Sequence, residues 1–199
     1  MKIFLKAIHE DKNLNSSNII VTYQGRFSPP TRAHIYVYKT LCNEFGPDKI
    51  YILTADPKKL DEKNPYTFAE KKDMLQAAGV PSDKIKQIIG SAYNWNVIAN
   101  AVGITNPNET VLVASMGAKD AEERTKYGTY YKIYNDKIPL EDMTNRGYIK
   151  IIANMNIDGT ETPVNASSMR KAISEKDIDI IKQNVEPGVF NWLRENNKI

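Results

Sequence analysis

Short runs of β-branched and apolar residues alternate along this chain with longer amphipathic stretches, and few folds accept that alternation. The runs fall at Asn18–Tyr23, Lys49–Thr54, Lys84–Ile89, Thr110–Ala114 and Tyr148–Ala153. They are nearly continuous in apolar character, as strands covered on both faces must be. Between and after them the pattern predicts helices at Arg32–Phe45, Thr67–Ala78, Asn94–Val102, Gly117–Lys126, Ser167–Glu175 and Glu186–Asn196. An α/β domain with a parallel sheet follows. The 199 residues suffice for one domain with a sizeable core.

Several boundaries have a local cause. Thr67 followed by Glu70 is a capping box, which starts a helix at Phe68. Gly79 lies just past the apolar periodicity, and Pro81 bars continuation. Residues 1–17 stand outside the alternation and read as an N-terminal arm, either a docked helix or mobile; the domain proper is 18–199. In residues 127–147, Tyr127, Tyr130, Tyr131 and Tyr134 are interleaved with lysines. A hairpin, a lid, an oligomer contact or a surface excursion with half-buried tyrosines are all open there.

Composition removes several classes of function. A net charge of +3 is too small to predict nucleic-acid binding, though it suits an anionic small molecule. One cysteine, Cys42, excludes an intrachain disulfide framework. Two histidines, His9 and His34, exclude a histidine-rich metal site, and no protein-held metal is expected. No apolar run reaches the ~20 residues of a membrane span. The first residues, MKIFLKAIHEDKN, make a poor signal peptide, so a cytoplasmic location is expected.

The chemistry concentrates in Tyr23-Gln24-Gly25-Arg26-Phe27-Ser28-Pro29-Pro30-Thr31-Arg32-Ala33-His34. A strand ends at Gly25, where the missing side chain lets a ligand approach the backbone. Two prolines stiffen the connection, and the following helix presents unpaired N–H groups, a ready anion site. Thr31 and His34 share one face of its first turn. Their hydroxyl and imidazole can donate to phosphate oxygens as charge builds in a transition state. Far downstream, Val164-Asn165-Ala166-Ser167-Ser168-Met169-Arg170 is a second helix start. There Ser167 is the candidate cap, and Arg170 can fold back to pair with phosphate oxygens.

The first segment, Gly25-Arg26-Phe27-x-Pro29-Pro30-Thr31-x-x-His34, resembles the G-x-F-x-P-x-H-x-G-H signature of the nucleotidyltransferase superfamily. Thr31 replaces the first histidine, as in pantetheine-phosphate adenylyltransferases. Ala33 replaces the glycine, which is similar to the H-x-x-H form of ATP sulfurylases. The second segment resembles the superfamily's I-S-S-T-x-x-R. A weaker likeness is Val113-Ala114-Ser115-Met116-Gly117-Ala118-Lys119-Asp120, where the family often has G-x-D or G-x-K-D; an ordinary strand-to-helix turn reads the same way. The likeness in character is to phage-type nicotinamide-nucleotide adenylyltransferases and cytidylyltransferase-like proteins, for which the host cytoplasm would be the location.

The resemblance implies a Rossmann-like, doubly wound parallel sheet of five strands in the order 3-2-1-4-5 with C-terminal helices. It also implies transfer of the nucleoside monophosphate of ATP or CTP, with Mg²⁺, to a phosphorylated acceptor, nicotinamide mononucleotide first, with release of pyrophosphate. His34, Thr31 and Arg170 are the implied catalytic residues. Gly25, Arg26, Phe27, Gly117, Lys119, Asp120, Ser167 and Ser168 are implied to bind nucleotide. Tyr66, in Asn64-Pro65-Tyr66-Thr67, is placed on the acceptor side, and Trp95 either stacks on an aromatic acceptor or fills the core. A homo-oligomer is the family's common state. Three readings compete: a nucleotide-binding regulator or structural protein that lost turnover, a cytidylyltransferase or pantetheine-phosphate adenylyltransferase, and a nucleic-acid binder using the Lys/Tyr-rich segment, against which the small charge argues.

Overall fold

A computed structural model describes residues 18–152 and 166–199. The strands are β1 (Ile19–Gln24), β2 (Ile50–Thr54), β3 (Ile85–Gln87), β4 (Val111–Gly117), β5 (Tyr131–Ile133) and β6 (Gly147–Ile152). The helices are α1 (Arg32–Phe45), α2 (Phe68–Ala77), α3 (Trp95–Val102), α4 (Ala118–Tyr127), α5 (Ala166–Glu175), α6 (Ile178–Asn184) and α7 (Pro187–Glu195). The described strands form one sheet in the order β3-β2-β1-β4-β6-β5, and every pairing is parallel.

The sheet is α/β and Rossmann-like, as expected, but it has six strands instead of five. The addition is β5, drawn from the tyrosine-rich segment and paired with β6 through Tyr131↔Gly147 and Ile133↔Ile149. It is three residues long, with Lys132 and Ile133 exposed, so it lacks the apolar run that marks the buried strands. Gly147 makes room for it: a Cβ there would stand 2.5 Å from the Tyr131 ring and 2.7 Å from that of Tyr130. Helix α6 was also not anticipated, and β3 is shorter than its apolar run.

Residue alternation along β1 divides the core. Ile19 and Val21 pack with Ile35 and Leu41 of α1 and Leu75 of α2, whereas Ile20 packs with Ile98 and Ala99 of α3. Ala121 of α4 joins Met116, Tyr131 and Ile149. Helices α5, α6 and α7 form a separate apolar cluster with Met74 of α2 and Tyr66. The capping box of α2 forms as predicted: Thr67 N–H donates to Glu70 Oε2 at 2.8 Å. Gly79, at φ +91°, ends the helix, with Val80 N–H donating to Leu75 O at 3.0 Å.

The chain returns from β3 to the far side of β1 to form β4, so the winding reverses between β1 and β4. Ligands of doubly wound sheets bind in the crevice at that reversal, outside the carboxyl ends of the strands. Gly25 follows β1 there, and Gly117 ends β4.

Candidate active site at the carboxyl ends of β1 and β4

The β1–α1 connection is built around one buried ring. Phe27 is 1% exposed and takes φ +46°, a left-handed conformation that costs an L residue roughly 1 kcal/mol. Its ring meets the His34 imidazole edge to face at 5.1 Å and the Tyr23 ring at 5.3 Å. A Cβ on Gly25 would lie 2.8 Å from the same ring, so residue 25 has to be glycine for Phe27 to pack here. The Ser28–Pro29 peptide is cis.

Thr31 caps α1, and His34 is its third residue. Thr31 N–H donates to His34 Nδ1 at 2.9 Å, and the Thr31 hydroxyl lies 2.8 Å from the same nitrogen. An accepting Nδ1 places the ring proton on Nε2, an assignment that follows from the hydrogen bond. Burial among Tyr23 and Phe27 pushes the imidazole pKa down to about 4. At neutral pH His34 is an uncharged ring whose Nε2–H serves as donor.

Gly25 and Arg26 line a 390 Å³ cavity with Asp56, Asn64, Lys71 and Tyr93. Arg170 lines a second cavity, of 670 Å³, with Lys63, Pro65, Tyr66, Lys171 and Lys198. Asp120 and Trp95 line a third, of 810 Å³, with Tyr93, Arg124, Tyr130 and Tyr131. His34 lines none of these three cavities, and Arg170 lines a different one from Gly25 and Arg26. The loop before α2 contributes Asn64 to the first and Pro65 and Tyr66 to the second, while Tyr93 lines both the first and the third. Arg124 stacks on the Tyr93 ring at 3.8 Å, and Tyr131 Oη donates to Tyr93 O at 3.0 Å. Tyr130 Oη donates to Met143 O.

The remaining residues singled out in the sequence fall as follows. Gly117 caps α4, and Lys119 and Asp120 lie exposed in its first turn. Ser168 is exposed and Arg170 half-buried in the first turns of α5. The Ser167 side chain, Val164 and Asn165 lie outside the described residues, as do His9 and the whole 1–17 arm. Trp95 is half-buried, packed against the α3 cluster, and it also lines a cavity. Tyr66 is 2% exposed, with its ring 6.4 Å from that of Trp192.

Sequence reasoning passed over Lys71, Asp56, Tyr93 and Arg124. Lys71 carried a readable signal, because it interrupts the apolar stripe of α2 between Phe68 and Met74–Leu75. The cavity roles of the other three depend on neighbours distant in sequence.

Residues 22–115 match the cytidylyltransferase-like family model. Two solved structures resemble the domain and the helices that follow it. The nicotinic acid mononucleotide adenylyltransferase of Plasmodium falciparum complexed with NaAD gives a TM-score of 0.57 at 17% identity, over 90% of this chain and 96% of that one. The same enzyme complexed with APC gives 0.59 at 16% identity and the same coverage. At these identities the likeness is one of fold. No curated protein is close enough in sequence to match. Among the described residues, no helix is long and apolar enough to cross a membrane.

Proposed function

We propose that this protein is a nucleotidyltransferase that moves the adenylyl group of MgATP onto the phosphate of a pyridine mononucleotide. The observation that carries the reading is the Thr31–His34 pair at the start of α1, beside Gly25 and at the reversal of the sheet. A helix N-terminus, a strand end without a side chain and a neutral imidazole donor together suit a phosphate that gains charge during reaction.

In the proposed reaction, an acceptor phosphate oxygen attacks the α-phosphorus of the triphosphate in line. The new P–O bond forms as the bond to the bridging α,β-oxygen breaks, and pyrophosphate leaves. The acceptor's own phosphate is the nucleophile, so no covalent enzyme intermediate is needed, and catalysis is positioning plus charge neutralisation. His34 Nε2–H and the first amides of α1 act at the α-phosphate, supported by Thr31 and the Gly25–Phe27 backbone. Arg170 and the α5 start, with Ser167 and Ser168, hold the β- and γ-phosphates. Gly117, Lys119 and Asp120 stand at the nucleoside, and Arg26 assists. Mg²⁺ enters as part of the triphosphate substrate, whose oxygens supply ligands. The acceptor ring is assigned to the cavity walled by Tyr93, Trp95 and Tyr130. The two Plasmodium structures support the choice of a pyridine nucleotide by analogy of fold.

The test is pyrophosphate release from MgATP or MgCTP with nicotinamide mononucleotide, nicotinic acid mononucleotide, phosphopantetheine, flavin mononucleotide or a phosphorylated alcohol. Turnover with ATP and a pyridine mononucleotide is expected. Tight ATP binding by calorimetry with no turnover on any acceptor would replace this reading with a nucleotide-binding regulator.

A further inference from the structure

Arg32 stands where a helix disfavours it. It is the first residue of α1, and a cation in a first turn opposes the positive end of the helix dipole. No acidic side chain in that turn offsets it. The guanidinium is engaged elsewhere: Nε donates to Val185 O at 3.0 Å, and Nη2 donates to Lys182 O at 3.3 Å. Both carbonyls belong to the carboxyl end of α6, where helical oxygens lack partners and a cation is favoured. The rigid fork of an arginine spans two such carbonyls, which the single nitrogen of a lysine does less well.

This link joins the two segments to which the chemistry is assigned. Thr31 and His34 flank Arg32 at the start of α1. Helix α6 continues directly from α5: Asp177 N–H donates to Ala172 O at 2.9 Å, and Met169 and Ala172 of α5 pack with Ile181 and Val185. Arg170, between Met169 and Ala172, is therefore carried by the same corner that Arg32 holds. On its other side the cluster rests on Met74 of α2. Arg170 and Gly25 line different cavities, so the separation of the α1 and α5 starts is set by how this corner is seated.

We propose that Arg32 is a positioning residue that fixes the α5–α6 corner against the first turn of α1, so that Arg170 meets the β- and γ-phosphates of the triphosphate whose α-phosphate lies at His34. The inference rests on the nucleotidyl-transfer reading for its choice of ligand. Arg32 acts through Arg170, its own fork being turned to the α6 carbonyls. The defect on its removal is therefore selective. A nucleotide without β- and γ-phosphates gains nothing from Arg170, so its binding is indifferent to Arg32. A staple that only holds the fold together would affect both kinds of nucleotide alike.

Calorimetry with MgATP and with AMP tests this on the wild type, Arg32→Gln, Arg32→Lys, Arg170→Ala and the double variant Arg32→Gln with Arg170→Ala. MgATP affinity is expected to fall about fivefold in Arg32→Gln, while AMP affinity stays within about twofold of the wild type. Arg32→Lys keeps the charge and can reach one carbonyl, so it should recover part of the loss. In the Arg170→Ala background Arg32→Gln should cost nothing further, since a residue acting through Arg170 has nothing left to place. Equal losses for MgATP and AMP, additive losses in the double variant, or an unchanged MgATP affinity in folded Arg32→Gln would overturn the proposal. Should Arg32→Gln not fold, Arg32→Lys carries the same comparison with a smaller expected loss. The two readings fail differently. A wild type that binds MgATP, with Arg32→Gln unaltered, removes this role and leaves the enzymatic reading intact. A wild type that binds no MgATP removes the nucleotidyl-transfer reading, and this role with it.

Discussion

The backbone N–H of Thr31 donates to Nδ1 of His34 at 2.9 Å, so the residue that caps α1 also fixes the tautomer of the one histidine among the described residues. The bond exists only while Nδ1 carries no proton. Burial in the folded protein holds the imidazole pKa at about 4, against 6.5 for an unperturbed histidine. Between those values the unfolded chain binds more protons than the folded one. Stability contributed by this group is thus complete above pH 6.5 and lost as pH falls toward 4. Urea unfolding should show this loss, on the order of 3 kcal/mol as a ceiling. His34→Gln should flatten that part of the profile.

The same pairing separates folding from turnover. His34→Ala removes half of a capping box, which costs about 1 kcal/mol of stability. Loss of a donor at the reacting phosphate should lower kcat by about 10²–10³. Pyrophosphate release measured beside thermal unfolding checks both, and near-normal kcat in a folded His34→Ala would remove His34 from the chemistry.

Gly25→Ala tests the ring that links the strand end to the imidazole. The added methyl would stand 2.8 Å from Phe27 Cζ, so the ring has to tilt away from His34. Overpacking of this kind costs about 1–3 kcal/mol. The expected signature is a destabilised protein whose His34 ring resonances shift. Unchanged resonances would show that the Phe27 contact does not position the imidazole.

Gly188→Ala tests how the C-terminal helices are seated. A Cβ at this position of α7 would lie 1.9 Å from Ala77 O of α2, a backbone atom that cannot swing aside. Destabilisation of more than about 3 kcal/mol is expected. Trp192 should report it by fluorescence, since its ring packs 6.4 Å from Tyr66, a wall of the Arg170 cavity.

Arg124→Ala and Tyr131→Phe probe Tyr93 from two sides. The first removes a cation from 3.8 Å above its ring, and the second removes the hydroxyl that donates to its carbonyl at 3.0 Å. Each interaction is worth about 0.5–1.5 kcal/mol. Both variants should raise KM for the acceptor severalfold while leaving KM for ATP near the wild-type value. The reverse pattern would move the acceptor away from this cavity.

Much of the local architecture was legible in the sequence. The α1 limits were read correctly because a capping threonine, an apolar period and a terminal glycine all act within a few residues of one another. The Thr67–Glu70 capping box and the Gly79 stop were equally local. The five apolar runs became strands, the central β1 and β4 because a strand buried on both faces has to be apolar throughout. The Gly25–His34 turn was visible for the same reason: its glycine, prolines, cap and imidazole are contiguous.

What the chain alone left open depends on partners far away in sequence. Whether Tyr131–Ile133 became a strand was decided by Gly147, which has no side chain to obstruct the tyrosines. Lys71 could stand buried on α2 once Ala55 offered its carbonyl in the same cavity. Tyr93 became a shared wall only when β5 and α4 closed around it. Short-range hydrogen bonds and side-chain periodicity are written into the order of residues. The neighbour that fills a cavity, completes a ladder or compensates a buried charge is set by the winding of the sheet, and tertiary structure alone supplies it.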